Sequence, residues 1–254
     1  MSEVNPFSLN GKKILITGAS SGIGRQCAID CSKMGAMVVL IGRDESRLQE
    51  TFSQMEGEGH LVCPVDFNQL DNIKPLVQEV VSKLGPLDGF IHSAGIEKTL
   101  PIKSLKPSDY EDIIRVNTLS AFEFVRYFSG SKNFKQGGSI VLISSITSVI
   151  GRVGVSAYAA SKGAIVSAVK TMALELAKRS VRINAISPGT VLTPLMQSYL
   201  SQISEEERQK RVEGFPLGLG EPTDVANACI YLMSDAARWV TGQNIVIDGG
   251  YTVE

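Results

Sequence analysis

Apolar residues fall in short unbroken runs separated by longer amphipathic stretches, and this rhythm repeats almost to the end of the chain. Ile14–Ile16 reads as a buried strand, followed by a helix-period pattern from about Ile23 to Met34 that closes at Gly35. MVVLI at 37–41 is a second strand, a charged helix covers 44–55, and HLVCPV at 60–65 is a third strand. A helix over 69–83 leads into LDGFIHSAG, a fourth strand ending near Ser93. SIVLISS at 139–145, VRINAISPG at 181–189 and NIVIDGG at 244–250 supply the fifth, sixth and seventh. Further helices are expected at 108–129, 158–178 and 222–234, with Gly35, Gly85 and the Gly137–Gly138 pair marking helix ends.

Strands that are nearly continuously apolar, rather than alternating, fit parallel strands covered on both faces. Their alternation with helices predicts one doubly wound α/β domain over 1–254, a seven-stranded parallel sheet with right-handed crossovers. The stretch 191–220 breaks the rhythm, mixing apolar residues with SEEERQKR before running into GFPLGLGEP. It is either a surface excursion or a small helical lid beside a site; the lid is the expectation carried forward.

Composition changes this picture little. The chain has 254 residues, 43% of them apolar, which is enough for a sizeable core. Twenty-five basic and 26 acidic side chains give a net charge of −1 with no basic block, which weighs against nucleic acid or an anionic membrane as main partner. No apolar run approaches the roughly 18 residues of a membrane span. The opening MSEVNPFSLNGKK lacks a signal-peptide pattern, so a cytoplasmic protein is expected. Cys27 and Cys31 lie four apart on one helix, but two histidines and no second cysteine pair leave a metal set incomplete. With Cys63 and Cys229 they are expected to be reduced thiols, and no metal site is expected.

The chemistry begins in ILITGASSGIGR at 14–25, where Gly18, Gly22 and Gly24 stand between a strand and a helix with the spacing GxxxGxG. Glycine permits positive φ and removes the Cβ that would block a diphosphate. The open amides of the helix's first turn then face an anion, unless the segment is only a tight turn. At the other end of the chain, Tyr158 and Lys162 are one helical turn apart, with Ser145 thirteen residues before Tyr158 at the carboxyl end of a strand. Reducing a ketone leaves charge on its oxygen, which a donor must stabilise and protonate. Tyr158 can be that acid; its reference pKa of about 10 is high, and a neighbouring Lys162 ammonium is expected to lower it. Ser145 can polarise the carbonyl.

The GxxxGxG turn, HSAG at 92–95 and Ser-x12-Tyr-x3-Lys together resemble the short-chain dehydrogenase/reductase family from about residue 10 to 250. YAASKGAI, ELA, VRINAISPGT and VTGQNIVIDGG resemble its 3-oxoacyl-acyl-carrier-protein reductase branch, although these segments are widely shared in the family. The resemblance implies a Rossmann fold with a diphosphate over Gly18–Gly24, Thr17, Ser20 and Ser21 tuning the loop, and Ile23 close to the cofactor. Gly42 stands where NAD-preferring relatives carry an aspartate, and Arg43 follows; a guanidinium suits the 2′-phosphate of NADP. NADPH is therefore expected over NAD, the alternative being Arg43 paired with Asp44 or Glu45.

By the same resemblance Asp66 and Phe67 hold the adenine, and Ala94 and Gly95 let backbone pass the nicotinamide ribose. His92 and Ser93 replace the family's usual asparagine pair, and His92 is read as structural. Lys162 holds the ribose hydroxyls, and Asn117 keeps a water in a proton path from it. Pro188 and Gly189 make a sharp exit, Thr190 and Val191 hold the carboxamide for transfer from the B face, and Thr193 reaches the diphosphate.

Around the expected pocket Ile96, Ile146, Ile150, Val153, Val155, Leu195, Met196 and Phe215 are apolar, with Arg152 the exception. That favours a ketoacid derivative or a hydrophobic ketone over a bare polyol. The expected activity is NADP(H)-dependent reduction of a ketone, with a 3-oxoacyl thioester as one candidate. A sugar, polyol or hydrophobic-alcohol dehydrogenase and a non-catalytic dinucleotide-binding regulator are the alternatives. The resemblance also implies a homotetramer, or a dimer, through helices 108–129 and 158–178. Lys178, Arg179 and Arg182 are candidate contacts for an acyl carrier protein.

Overall fold

The computed structural model describes residues 5–253. Seven parallel strands form one sheet in the order β3-β2-β1-β4-β5-β6-β7: β1 (Lys13–Thr17), β2 (Met37–Gly42), β3 (Leu61–Pro64), β4 (Leu87–His92), β5 (Phe134–Ile143), β6 (Arg182–Pro188) and β7 (Asn244–Ile247). Between them run α1 (Gly22–Lys33), α2 (Glu45–Phe52), α3 (Ile73–Leu84), α4 (Pro107–Ile114), α5 (Ser120–Phe128), α6 (Ser156–Leu176), α7 (Pro194–Leu200), α8 (Glu205–Glu213) and α9 (Pro222–Met233). This is the doubly wound architecture that the alternating pattern predicts.

The unbroken apolar strands are explained by two cores. Along β1, Ile14 and Ile16 face Cys27 of α1 and Val225 of α9, while Leu15 faces the other way. That second core gathers Leu76 and Val80 of α3, Phe124 and Phe128 of α5, and Ile165 and Val169 of α6. Apolar side chains of the central strands thus have a core to enter on either face, whichever way the two-residue period turns them. The chain leaves β1 toward β2 on one side and crosses to β4 on the other, so a crevice opens beyond the carboxyl ends of β1 and β4.

Two elements differ from expectation, while a third, the 191–220 segment, is helical as expected. The helix expected over 108–129 is interrupted by a π-turn at Arg115–Leu119, where Ser120 N–H reaches back to the Arg115 carbonyl. Gly137–Gly138 do not end a helix but lie inside β5, whose strand begins at Phe134 and stops at Ile143, before Ser145. A Cβ on Gly138 would collide with the Phe134 ring, and pairing with β4 slips in register beside it. The 191–220 segment folds as α7 and α8.

Candidate active site

Two connected cavities occupy the crevice, one of about 540 Å³ and one of about 320 Å³, with Ile23, Ser93, Gly95, Ile96, Thr193 and Leu195 on the wall of both. The smaller is built by the glycine turn. Gly18 has φ +70°, and a Cβ there would lie 2.8 Å from the Ala94 amide nitrogen, so only glycine lets the turn meet the end of β4. Gly24 lies behind the wall, packed on the Gly18 carbonyl. Ser21 N-caps α1 without a side-chain bond, and no acidic residue sits in the first turn, which leaves that end suited to an anion. Thr193 N-caps α7 and lies against Gly22 across the cavity. The glycine cradle and the open helix end fit a dinucleotide diphosphate.

At the end of β2, a Cβ on Gly42 would press within 3.2 Å of Leu48 and 3.3 Å of Ser20. Arg43 and Arg47 both line the cavity, and neither forms an ion pair among the described residues. Asp44 instead N-caps α2, accepting from the Arg47 amide at 3.1 Å. Arg47, in the first turn of α2, was not singled out by the motifs; it shares this wall with Arg43, which precedes the helix. Asp66 is on the wall but closes its own turn, accepting from the Asn68 amide and side chain at 3.0 Å each. Phe67 is buried and meets Phe124 edge-on at 5.7 Å, so it supports the wall from the core.

Thr17 joins this cavity to the next. Its hydroxyl accepts from the Ser93 and Ala94 amides at 3.2 Å each, so its own proton goes to His92 Nδ1 at 2.9 Å. His92 Nε2–H then points to Ser120 Oγ at 3.4 Å, and Ser120 donates to the Val116 carbonyl at 2.6 Å. His92 is fully buried, and burial, followed by the Lys162 charge, pushes its pKa down to about 3. A ring held neutral between two hydroxyls is a structural strut.

On the larger cavity, Ser145 follows β5 in extended conformation, its hydroxyl accepting from the Thr147 amide at 3.2 Å. Tyr158 and Lys162 share one face of α6, and Ser144 ties that face to the sheet by donating to the Lys162 carbonyl at 2.9 Å. Lys162 Nζ is buried, donates to the Ile143 carbonyl at 2.8 Å and lies 5.7 Å from the Tyr158 ring centroid. Burial pushes Lys162 down to about 8 despite the Glu97 charge. Tyr158 is pushed up to about 12, by burial first and then by Glu97, against the Ser145 hydroxyl and the Arg152 charge. This reverses the expected lowering by Lys162. The ammonium lies over the ring and is held by a carbonyl, so desolvation dominates at the phenol oxygen.

Asn117 sits in the π-turn with its amide already engaged. Oδ1 accepts from the Ile96 amide at 2.7 Å, while Nδ2 donates to the Ile96 carbonyl at 2.9 Å and to Ser161 Oγ at 3.0 Å. The side chain clamps the loop after β4 onto α6. Gly95 leaves room beside it; a Cβ there would be 3.3 Å from Asn117 Oδ1 and 3.4 Å from Lys162 Nζ.

Pro188, Gly189, Thr190 and Val191 line the larger cavity with Ile96, Ser145, Ile146, Ile150, Arg152, Tyr158, Leu195, Met196 and Phe215. Val155 does not: it precedes α6 and is packed inside at 1% exposure. Val153 points outward at 95% exposure. Glu97, Thr147, Glu207, Lys210, Arg211 and Tyr251 also reach the wall and were not foreseen. Residues 207, 210 and 211 share one face of α8 by their spacing, but a polar helix does not declare which face turns inward. Of the cations suggested for a carrier protein, Lys178 is exposed and the two arginines are engaged within the chain. Arg179 is spent on the Phe128, Ser129 and Phe134 carbonyls, and Arg182 is buried against those of Leu232 and Ser234.

A family model described as enoyl-(acyl carrier protein) reductase matches residues 18–252. Glucose 1-dehydrogenase of Gluconobacter oxydans is 35% identical, over 96% of this chain and 92% of that protein. A 3-oxoacyl-(acyl-carrier-protein) reductase of Thermotoga maritima is also 35% identical, over 96% of this chain and 99% of that protein. Among solved structures, a 7 alpha-hydroxysteroid dehydrogenase complexed with NADH and 7-oxo glycochenodeoxycholic acid superposes with TM-score 0.89 at 30% identity, covering 96% of each chain. A short-chain type dehydrogenase/reductase from Mycobacterium marinum superposes with TM-score 0.86 at 31% identity, covering 100% of each chain.

Proposed function

Because this chain belongs to the short-chain dehydrogenase/reductase family of NAD(P)-dependent oxidoreductases, we propose that it reduces a ketone to a secondary alcohol with NADPH. The observation that carries this reading is the convergence of Ser145, Tyr158 and Lys162 on one cavity wall that continues into the glycine-turn cavity. A nicotinamide dinucleotide bound across the two supplies the hydride. Ser145 donates a hydrogen bond to the substrate carbonyl oxygen, and Tyr158 Oη gives that oxygen its proton as negative charge develops. Lys162 keeps positive charge beside the phenol and holds the ribose hydroxyls, while Asn117 fixes the Ile96 loop against α6. The pair α7–α8 closes the substrate side as a lid.

NADPH is favoured over NADH by Arg43 and Arg47, two guanidinium groups beyond β2 with no ion pair among the described residues, where Gly42 provides no acid. The apolar wall formed by Ile96, Ile146, Leu195 and Met196 favours hydrophobic ketones, including 3-oxoacyl thioesters. Oxidation of a sugar or polyol is the second reading, favoured by the glucose dehydrogenase relative. A binding-only regulator has no use for the buried acid and lysine. Four thiols without a disulfide partner favour a reducing compartment, as the cytoplasm is. Initial rates with NADPH and with NADH, on a β-ketoacyl thioester, a hydrophobic ketone and glucose, test the assignment. Ketone-dependent consumption that prefers NADPH is expected; glucose oxidation without ketone reduction selects the second reading.

A further inference from the structure

The charges on the wall of the larger cavity are unevenly compensated. Glu207 is spent on capping α8, its carboxylate accepting from the Ser204 amide and hydroxyl at 3.3 Å each. Lys210 turns to Glu206 at 2.8 Å. Arg211 lies over the Tyr199 ring at 4.9 Å, with Nη2 3.4 Å from the Tyr199 hydroxyl. That contact holds the guanidinium in place without neutralising it. Arg152, in the turn between Ser145 and α6, has no ion pair or side-chain hydrogen bond among the described residues. Two guanidinium groups from separate segments therefore face one cavity, and no carboxylate of the described residues is within ion-pair reach of either. Ile146, Ile150, Leu195, Met196 and Phe215 supply its apolar surface, and Tyr158 and Ser145 its chemistry.

We infer that this cavity takes an anionic substrate, a keto acid whose carboxylate is received by Arg152 and Arg211 while its carbonyl meets Ser145 and Tyr158. The inference rests on the reductase reading and narrows it from ketones in general to free acids. A guanidinium matches a carboxylate through two parallel hydrogen bonds, which an ammonium cannot do. Glu97 sets the polarity of the site. It is the wall carboxylate outside the α8 cap, and its neighbour is the Thr99 hydroxyl at 3.3 Å rather than a cation. Its charge and that of Arg152 act on Tyr158 in opposite senses. A carboxylate is thereby turned away from Glu97 and toward the arginines, with the apolar chain between carboxylate and carbonyl lying along the aliphatic wall.

Octanoate and octanamide differ in charge and hardly in shape, so each is titrated calorimetrically into the enzyme saturated with NADP. Octanoate is expected to bind about tenfold more tightly, an advantage that shrinks at high salt. Arg152→Gln with Arg211→Gln should bring the two to parity, with thermal melting run alongside to show that the variant is folded. Equal binding in the unaltered protein, or a preference that survives in a folded double variant, overturns the proposal. Rates of NADPH consumption with medium-chain keto acids and their amides separate the two layers. Turnover of both forms with equal kcat/KM rejects the anionic site and leaves the reductase reading standing. Preferential octanoate binding without turnover of any carbonyl supports the anionic site and rejects the reductase reading.

Discussion

A phenol raised to about 12 beside an amine lowered to about 8 means that Tyr158 and Lys162 both carry their protons at neutral pH. That is the state proton donation to a ketone requires. For reduction, kcat/KM should stay level through neutrality and fall as pH rises past about 8, where Lys162 discharges. Initial rates across pH read this directly; a profile flat to pH 10 would contradict it. Tyr158→Phe should lower kcat by about 10²- to 10⁴-fold, the usual share of a general acid. At the nucleotide end, Arg43→Ala with Arg47→Ala should raise the KM for NADPH about tenfold and narrow the preference over NADH, since charge-assisted phosphate bonds are lost. The Ser145, Tyr158 and Lys162 set was legible because its spacing carries both a strand end and a helix face. Arg211 was not, because nothing local to SEEERQKR says which face of α8 turns inward.

Between elements, the strut from Thr17 through His92 and Ser120 to Val116 fastens the ends of β1 and β4 to the π-turn that carries Asn117. His92 titrates at about 3 in the folded chain, below its ordinary 6.5, so the unfolded chain takes up the proton first as pH falls. The strut's contribution is complete above about pH 6.5 and is lost at about 1.4 kcal/mol per pH unit on the way down toward 3. Urea melts at several pH values should show that slope, and His92→Gln should remove it. Equal slopes in both proteins would show that His92 is not held neutral. The strands were readable because each carries a short apolar run, such as Ile14–Ile16 in β1, between helix-period stretches. The π-turn was not, since one extra residue in a helical turn leaves the apolar pattern of 108–129 unbroken. Gly137–Gly138 misled for a related reason: a glycine that makes room for Phe134 looks, in sequence, like one that stops a helix.

Across the whole molecule, the crossover from β3 to β4 fixes where the two cavities meet; the sequence pattern predicted a doubly wound sheet but not its strand order. The surface was harder to read. Trp239 is 90% exposed, Val253 87% and Leu174 77%, large apolar side chains that assembly would cover. We expect sedimentation to give a mass near four 27.3 kDa chains, and the emission of Trp239, the single tryptophan, to shift blue on assembly. A monomer at micromolar concentration would contradict the tetramer. The central claim is hydride transfer to a ketone with Tyr158 as the acid, and NADPH deuterated on its B face tests it most directly. Mass spectrometry of a ketone reduced in a single turnover should find deuterium on the carbinol carbon, and Tyr158→Phe should slow its appearance by at least about a hundredfold. Deuterium that stays on the nucleotide, or a variant that transfers it at the original rate, would contradict the account.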